Sequence, residues 1–329
     1  MEIEAGPFRG SVALQSGRVS RHQLSRDYVR VFRDTYVRAG TTLDARALAV
    51  AASVCVGNGA VVAGISAAAM HGARWIDASV PPTVLVPGKS HRLPGLSIRR
   101  DSIEPAEALV VRGVAVTTPV RTAFDIGRWV PPPQSVIYID SLMAATGLRR
   151  DAVSAFASLH PGCRGIRRLV ASLVRVDGGA ESPQETRTRL LLIDAGLPTP
   201  TTQIEIRDAH GRFVARIDMG WERWRVGVEY EGVHHWLDER QRTRDIERFE
   251  ELGHCGWRII RINSEQIRLR PHDIVARVGA ALRAAGAPVQ RDYGCAGDLA
   301  SSGGISANSA EIQRSTRWQQ LPNARSVEK

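Results

Sequence analysis

The chain has 329 residues, 43% hydrophobic and 24% charged, which is room for two folded domains with an ordinary globular balance. Its 44 Lys and Arg against 34 Asp and Glu leave a net charge of +10, a surplus that draws polyanions, nucleic acid above all. Cys55, Cys163, Cys255 and Cys295 are scattered without a CxxC pair, against a disulfide framework or a zinc ribbon, and neither the acidic start nor the short apolar run at 61–70 reads as a signal peptide or a membrane span.

A reducing cytoplasm and no membrane partner are therefore expected. Residues 1–42 open with a short helix at 19–24 and an alternating stretch at 29–38 that reads as a hairpin or wing. Together they suggest a small winged-helix-like segment. Arg26, Arg30, Arg33 and Arg38 could meet phosphates there, or simply line a solvated hairpin edge. Residues 43–175 read as a mixed α/β domain. Helices are expected at 44–55, 65–71, from Pro119 through 121–127, and at 135–146 after the Pro131-Pro132-Pro133 break. Strands are expected at 83–86, 96–100 and 114–116. His71, at a helix end, is expected to cap last-turn carbonyls. Residues 176–180 (Val-Asp-Gly-Gly-Ala) read as a linker. The tail 288–329 is rich in Ser, Gly, Ala, Asn and Gln and is expected to be disordered.

Residues 181–287 carry the clearest chemistry. Ser182-Pro183-Gln184-Glu185 has the S-x-x-E form of a capping box with Pro at the first helical position. The helix it opens should stop at Gly196. Strands follow at 203–207, 213–219 and 225–231, joined by short connections that suit an antiparallel meander. A charged helix at 238–254, a strand at 257–262 and a helix at 273–284 complete the pattern. Helix, three-strand meander, helix, strand, helix is the order of a restriction-endonuclease-like core. The fold class is thus α/β, with that core preceded by a mixed α/β region.

The acids fall where such a core would use them. Asp218 ends the second strand. Glu229 and Glu231 lie two apart on the third, so they share a face. Carboxylates on central strands are costly unless they are paired or bound to a cation. Together with Glu185 they offer the hard oxygens that Mg²⁺ or Mn²⁺ takes, with room for water and phosphate. Each also has a plainer reading: Glu185 as a cap, Asp218 as a strand end, Glu229 with Glu231 as a solvated face. His235 follows the acids as a candidate proton carrier. Arg244, Asp245 and Arg248 open the next helix, where Arg248 can clamp a phosphate and Asp245 can orient a neighbour.

The segments Glu-Ser-Pro-Gln-Glu-Thr-Arg (181–187), Arg-Ile-Asp (216–218), Val-Glu-Tyr-Glu-Gly-Val-His-His (228–235), Arg-Asp-Ile-Glu-Arg (244–248) and Gly-Trp-Arg-Ile-Ile-Arg-Ile (256–262) resemble a known group. They are similar to actinobacterial proteins of unknown function with a C-terminal very-short-patch-repair (Vsr)-like endonuclease domain, of the PD-(D/E)xK superfamily. The resemblance implies Asp218 as principal metal ligand, Glu229 as the acid of the (D/E)xK element and Glu185 as the helix acid. It gives His235, Asp245 and Arg248 supporting roles. The lysine of that element is absent, and Glu231 stands in its place. His235 or Arg248 remain candidates for the cation. In the N-terminal half, residues 30–38, 64–72 and 116–125 resemble AbiEi-type antitoxins and transcriptional regulators, a family that opens with a DNA-binding winged helix; the resemblance leads one to expect Gly where Asp34 stands.

The expectation is a Mg²⁺- or Mn²⁺-dependent endonuclease acting on DNA, with RNA left open. A homodimer and a toxin or defence-system partner are compatible with it. The rival is a non-catalytic, antitoxin-like DNA-binding regulator that keeps the nuclease fold.

Overall fold

A computed structural model of the chain describes residues 6–88, 92–232 and 239–289, leaving aside the side chains of 239–245. The tail expected to be disordered lies, but for 288 and 289, outside the described residues. The fold is of the α/β class and has two compact units, Met1–Leu190 and Leu191–Lys329. Among the described residues no helix is long and apolar enough to cross a membrane.

The first unit opens with a small module. Strand β1 (Phe8–Arg9) leads into α1 (Gly10–Gln15) and α2 (Arg21–Asp27), then into β2 (Tyr28–Phe32) and β3 (Thr35–Arg38). The strands form an antiparallel sheet in the order β1-β3-β2. Ala13, Val19 and Leu24 are buried against Phe8, Leu14, Tyr28 and Tyr36. Ser20 and Gln23 close a capping box at the start of α2, which leaves Arg21, His22, Ser25 and Arg26 exposed. The β2–β3 turn places Asp34 at φ +54°, a conformation that Asp tolerates better than most residues. The position where Gly was expected also has a use for a carboxylate. Asp34 accepts from Ser11 N–H (2.8 Å) and Ser11 Oγ (2.5 Å) and so ties the turn to the start of α1.

The rest of the unit is built on a mixed five-stranded sheet, ordered β6-β5-β4-β8-β7. Its strands are β4 (Val61–Val62), β5 (Thr83–Val86), β6 (Ser97–Arg100), β7 (Ala108–Val111) and β8 (Val114–Thr117). Helices α3 (Ala45–Val56), α4 (Gly64–Met70), α5 (Pro119–Trp129), α6 (Gln134–Thr146), α7 (Arg150–Ser158) and α8 (Ile166–Leu173) complete it. Phe124, Ile126, Ile139, Leu142 and Leu169 lie in one buried cluster. His71 is the C-cap residue of α4, its N–H donating to Ala67 O at 2.9 Å, while its ring Nε2 meets Thr117 O on β8 at 2.7 Å.

The segment 176–180 is not a free linker. Val176 and Ala180 are buried, and Asp177 N–H donates to Asp140 at 2.7 Å. Helix α9 (Pro183–Asp194) adds Thr186 Oγ1 and Arg189 Nη2 to the same carboxylate, at 3.0 and 2.7 Å. The first half of α9 thereby packs into the first unit, and the division falls inside the helix, after Leu190. Burial pushes the Asp140 carboxyl up to about 7, against the pull of Arg189.

The second unit holds a four-stranded sheet, β12-β11-β10-β9. Strands β9 (Thr201–Arg207), β10 (Phe213–Trp221) and β11 (Val226–Glu231) form an antiparallel meander. Helix α10 (Glu239–His254) then crosses over, and β12 (Arg258–Asn263) pairs with β11 in parallel. Short α11 (Ser264–Leu269) and longer α12 (Pro271–Ala284) follow. Val226, Val228, Ile260 and Ile262 pack with Ile274, Val278 and Leu282 of α12. Ile204, Ile206, Ala215 and Ile217 pack with Leu252, Phe249 and Ile259 in a second cluster that includes α10. Period 2 puts Gly227, Glu229 and Glu231 on the face of β11 away from Val226 and Val228.

Candidate active site

The site grows from a place where two strands part. The β10/β11 ladder has three pairs: Trp221 with Val226, Gly220 with Gly227, and Met219 with Val228. One further step would set Asp218 opposite Glu229. The ladder stops there instead. Beyond it β10 pairs only with β9, and β11 only with β12. Such a fork leaves ladder donors without their strand partners, and each must be met another way. Asp218 meets one: its Oδ2 accepts from Tyr230 N–H at 2.6 Å. A carboxylate thus holds the fork open.

Two glycines pin the closed side. A Cβ on Gly220 would stand 2.5 Å from Val226 O, and one on Gly227 would stand 2.7 Å from both Ile217 and Ile259 side chains. At Gly220 the strands approach so closely that only hydrogen fits, and at Gly227 the ends of two isoleucine side chains fill the space.

Glu229 stands at the fork, buried, with Oε2 at 2.7 Å from Arg248 Nη2 on α10. Glu231, on the same face, is ion-paired with Arg261 of β12. Both guanidinium groups lie over the ring of Phe249, at 5.0 Å for Arg248 and 4.6 Å for Arg261. Phe249 thus lies beneath two guanidinium groups, each paired with an acid of β11, while Asp218 is tied to Tyr230 N–H.

Of the residues expected to act together, Asp218, Glu229, Glu231 and Arg248 are brought to this fork. Glu185 lies in the first unit. One of its carboxylate oxygens accepts from Glu181 N–H at 2.8 Å while Ser182 Oγ accepts from Glu185 N–H at 3.2 Å, the two halves of an N-terminal cap. His235 lies outside the described residues, as do the side chains of Arg244 and Asp245 on α10. Among the described residues no three His, Cys, Asp or Glu are grouped closely enough to hold a metal. The donors at the fork still fit a hard cation, because Mg²⁺ commonly takes only one or two protein carboxylates and fills the rest with water and phosphate.

Arg30, Arg33 and Arg38 are exposed on β2, in the turn and on β3 of the N-terminal module. Sequence reading missed Arg261, because its register with Glu229 exists only in the folded parallel ladder. It also missed a buried network in the first unit. Arg121 there reaches Asp101, Glu107 and Asp125 at 3.1, 2.6 and 3.0 Å. Arg128 reaches Asp101 and Asp125 at 2.7 and 2.6 Å. Burial raises the Asp125 carboxyl, and the two arginines pull it back. The i,i+4 and i,i+3 spacing of Arg121, Asp125 and Arg128 on an otherwise apolar helix was the visible hint.

The fold and site thus define an α/β protein with a carboxylate-lined strand fork. Two proteins of Mycobacterium tuberculosis are similar to it: Uncharacterized protein Rv2248 (strain ATCC 25618 / H37Rv) and Uncharacterized protein MT2308 (strain CDC 1551 / Oshkosh). Each is 30% identical over 227 residues, 69% of this chain and 80% of the relative. The chain belongs to the family of these mycobacterial proteins. No family model matches it, and no solved structure does.

Proposed function

We propose that the second unit is a restriction-endonuclease-like core that hydrolyses phosphodiester bonds in DNA with the help of Mg²⁺ or Mn²⁺. The observation that carries this reading is the fork itself, with Asp218 and Glu229 on the two strands where their ladder ends. The meander, the crossover helix α10 and the parallel β12 support it as the frame such a core uses. Asp218 and Glu229 would hold the metal, which supplies polarisation of the phosphate and a more acidic bound water. Asp218 keeps the fork open through Tyr230 N–H. Arg248 neutralises Glu229 until substrate arrives. His235 is the nearest proton carrier in sequence. Water oxygen attacks phosphorus, the P–O bond to the leaving nucleotide breaks, and the proton ends on the leaving oxygen. The net charge of +10 supports a polyanionic substrate.

The N-terminal module supports DNA as that polyanion. Two helices, an exposed basic α2 and an Arg-bearing β2–β3 turn are the parts of a small winged helix. One observation favours a second reading, a DNA-binding regulator that keeps the nuclease core without turnover. Glu231 occupies the place of a catalytic lysine, and Glu229 is already ion-paired.

Nicking of supercoiled plasmid by the purified protein with Mg²⁺ or Mn²⁺ tests the first reading, beside Asp218→Asn and Glu229→Gln. Metal-dependent nicking lost in both variants supports the nuclease. No cleavage of plasmid, single-stranded DNA or RNA, with a gel shift retained, favours the regulator.

A further inference from the structure

The two arginines at the fork are arranged unlike ordinary surface ion pairs. Exposed pairs contribute little and are held loosely. Here two guanidinium groups of like charge both lie within 5.0 Å of one ring centroid. Each is held by an acid from the same face of β11: Arg248 by Glu229, and Arg261 by Glu231. They come from different elements, α10 and β12, so their closeness is a product of the fold rather than of local sequence. Arg261 is also fixed by its strand, since it stands in register with Glu229, and Arg277 donates to its carbonyl at 3.1 Å.

Two guanidinium groups that share one ring offer several donors to one anion with tetrahedral oxygens, and arginine suits phosphate for that reason. The acids that hold them at rest compete with such an anion. A cation taken up by Glu229 would weaken that competition. We infer that Arg248 and Arg261 form a paired clamp for one backbone phosphate of duplex DNA, with Glu229 and Glu231 as its resting partners. Arg261 is the member that sequence did not reveal. The inference rests on the nucleic-acid part of the reading above but not on turnover.

The test is binding of a short fluorescein-labelled duplex oligonucleotide to the full-length protein, followed by anisotropy over a range of salt concentrations. It is run in EDTA and again with Ca²⁺, beside the nicking assay. Loss of one phosphate contact lowers the slope of log K against log salt by about one. Arg261→Gln is expected to do that and to weaken binding about tenfold at low salt. Arg261→Lys should restore the slope but only part of the affinity, because a point charge replaces a planar fork. A merely structural arginine would not move the slope.

If the wild type nicks plasmid in an Asp218-dependent way while Arg261→Gln keeps slope and affinity, the clamp is wrong and the nuclease stands. If Arg261→Gln lowers the slope but the wild type does not cleave, the clamp stands and the nuclease reading fails. A wild type that does not bind duplex DNA at all overturns both.

Discussion

The molecule has two clusters of acids and arginines, and they are built in opposite ways. In the first unit Arg121, Arg128 and Asp125 are buried, and every acid in the cluster faces an arginine. Arg121 keeps only 3% of its side chain exposed. In the second unit Arg248 and Arg261 keep 32% and 47% exposed, and the acids stand where a strand ladder ends. The same residue types are used, but the arginines of the first cluster are sealed from water and those of the second are partly exposed to it. Charges sealed from water hold a fold in one arrangement. On the reading proposed above, the arginines at the fork would exchange their resting acids for substrate. Burial and backbone pairing, not composition, separate a structural network from a candidate site.

The largest effect should come from the fork. Asp218→Asn or Glu229→Gln is expected to lower metal-dependent nicking at least about a hundredfold, because a Lewis-acid metal contributes several kcal/mol to such a reaction. Unfolding should shift little for Asp218→Asn, which keeps an acceptor for Tyr230 N–H. Cleavage that survives both substitutions would remove the fork from the chemistry.

The closed cluster should respond in the reverse sense. Arg121→Met leaves three acids short of a cation and is expected to cost about 3–5 kcal/mol in urea unfolding, the usual penalty for breaking a buried pair. Duplex binding per folded molecule should not change. A large binding defect with normal stability would mean that this cluster, too, is a ligand site.

Asp140 sharpens the comparison through pH. Its folded-state carboxyl is pushed up to about 7, above the usual range of an unfolded aspartate. The folded chain therefore keeps a proton that the unfolded chain has released. Stability from this group is fully present below about pH 4 and is lost as pH rises through about 7. Asp140→Asn should flatten that part of the stability profile. A profile identical to that of the wild type would show that Arg189 holds the carboxylate ionised throughout.

The smallest effect is expected in the N-terminal module. Ser20→Ala removes the cap of α2 and should cost about 1 kcal/mol. If α2 contacts DNA, affinity should fall with it while plasmid nicking at saturating enzyme stays near that of the wild type.

Much of this was legible in the sequence, for a physical reason. Period 2 in 203–207, 213–219 and 225–231, short turns between them, and S-x-x-E at 182–185 are local signals, and they place β9, β10, β11 and α9 within a few residues. The hairpin at 29–38 was equally plain. The two-residue strand β4, and β7 behind its 3₁₀ turn, carry too few residues for a period to show. Helices α7, α8 and α11 were missed as well. The glycine-rich run at 176–180 looked like a linker because glycine marks both loops and tight packing.

The sequence alone determined which residues carry charge, which faces of strands and helices are apolar, and that Asp218, Glu229 and Glu231 lie on neighbouring strands. Only the tertiary structure decided that the β10/β11 ladder ends between Asp218 and Glu229. It alone set Arg248 and Arg261 over one ring. Local periodicity fixes what a residue can face. Which strand pairs stop, and which distant cations arrive, depend on register and crossover, and these are set by packing across many residues at once.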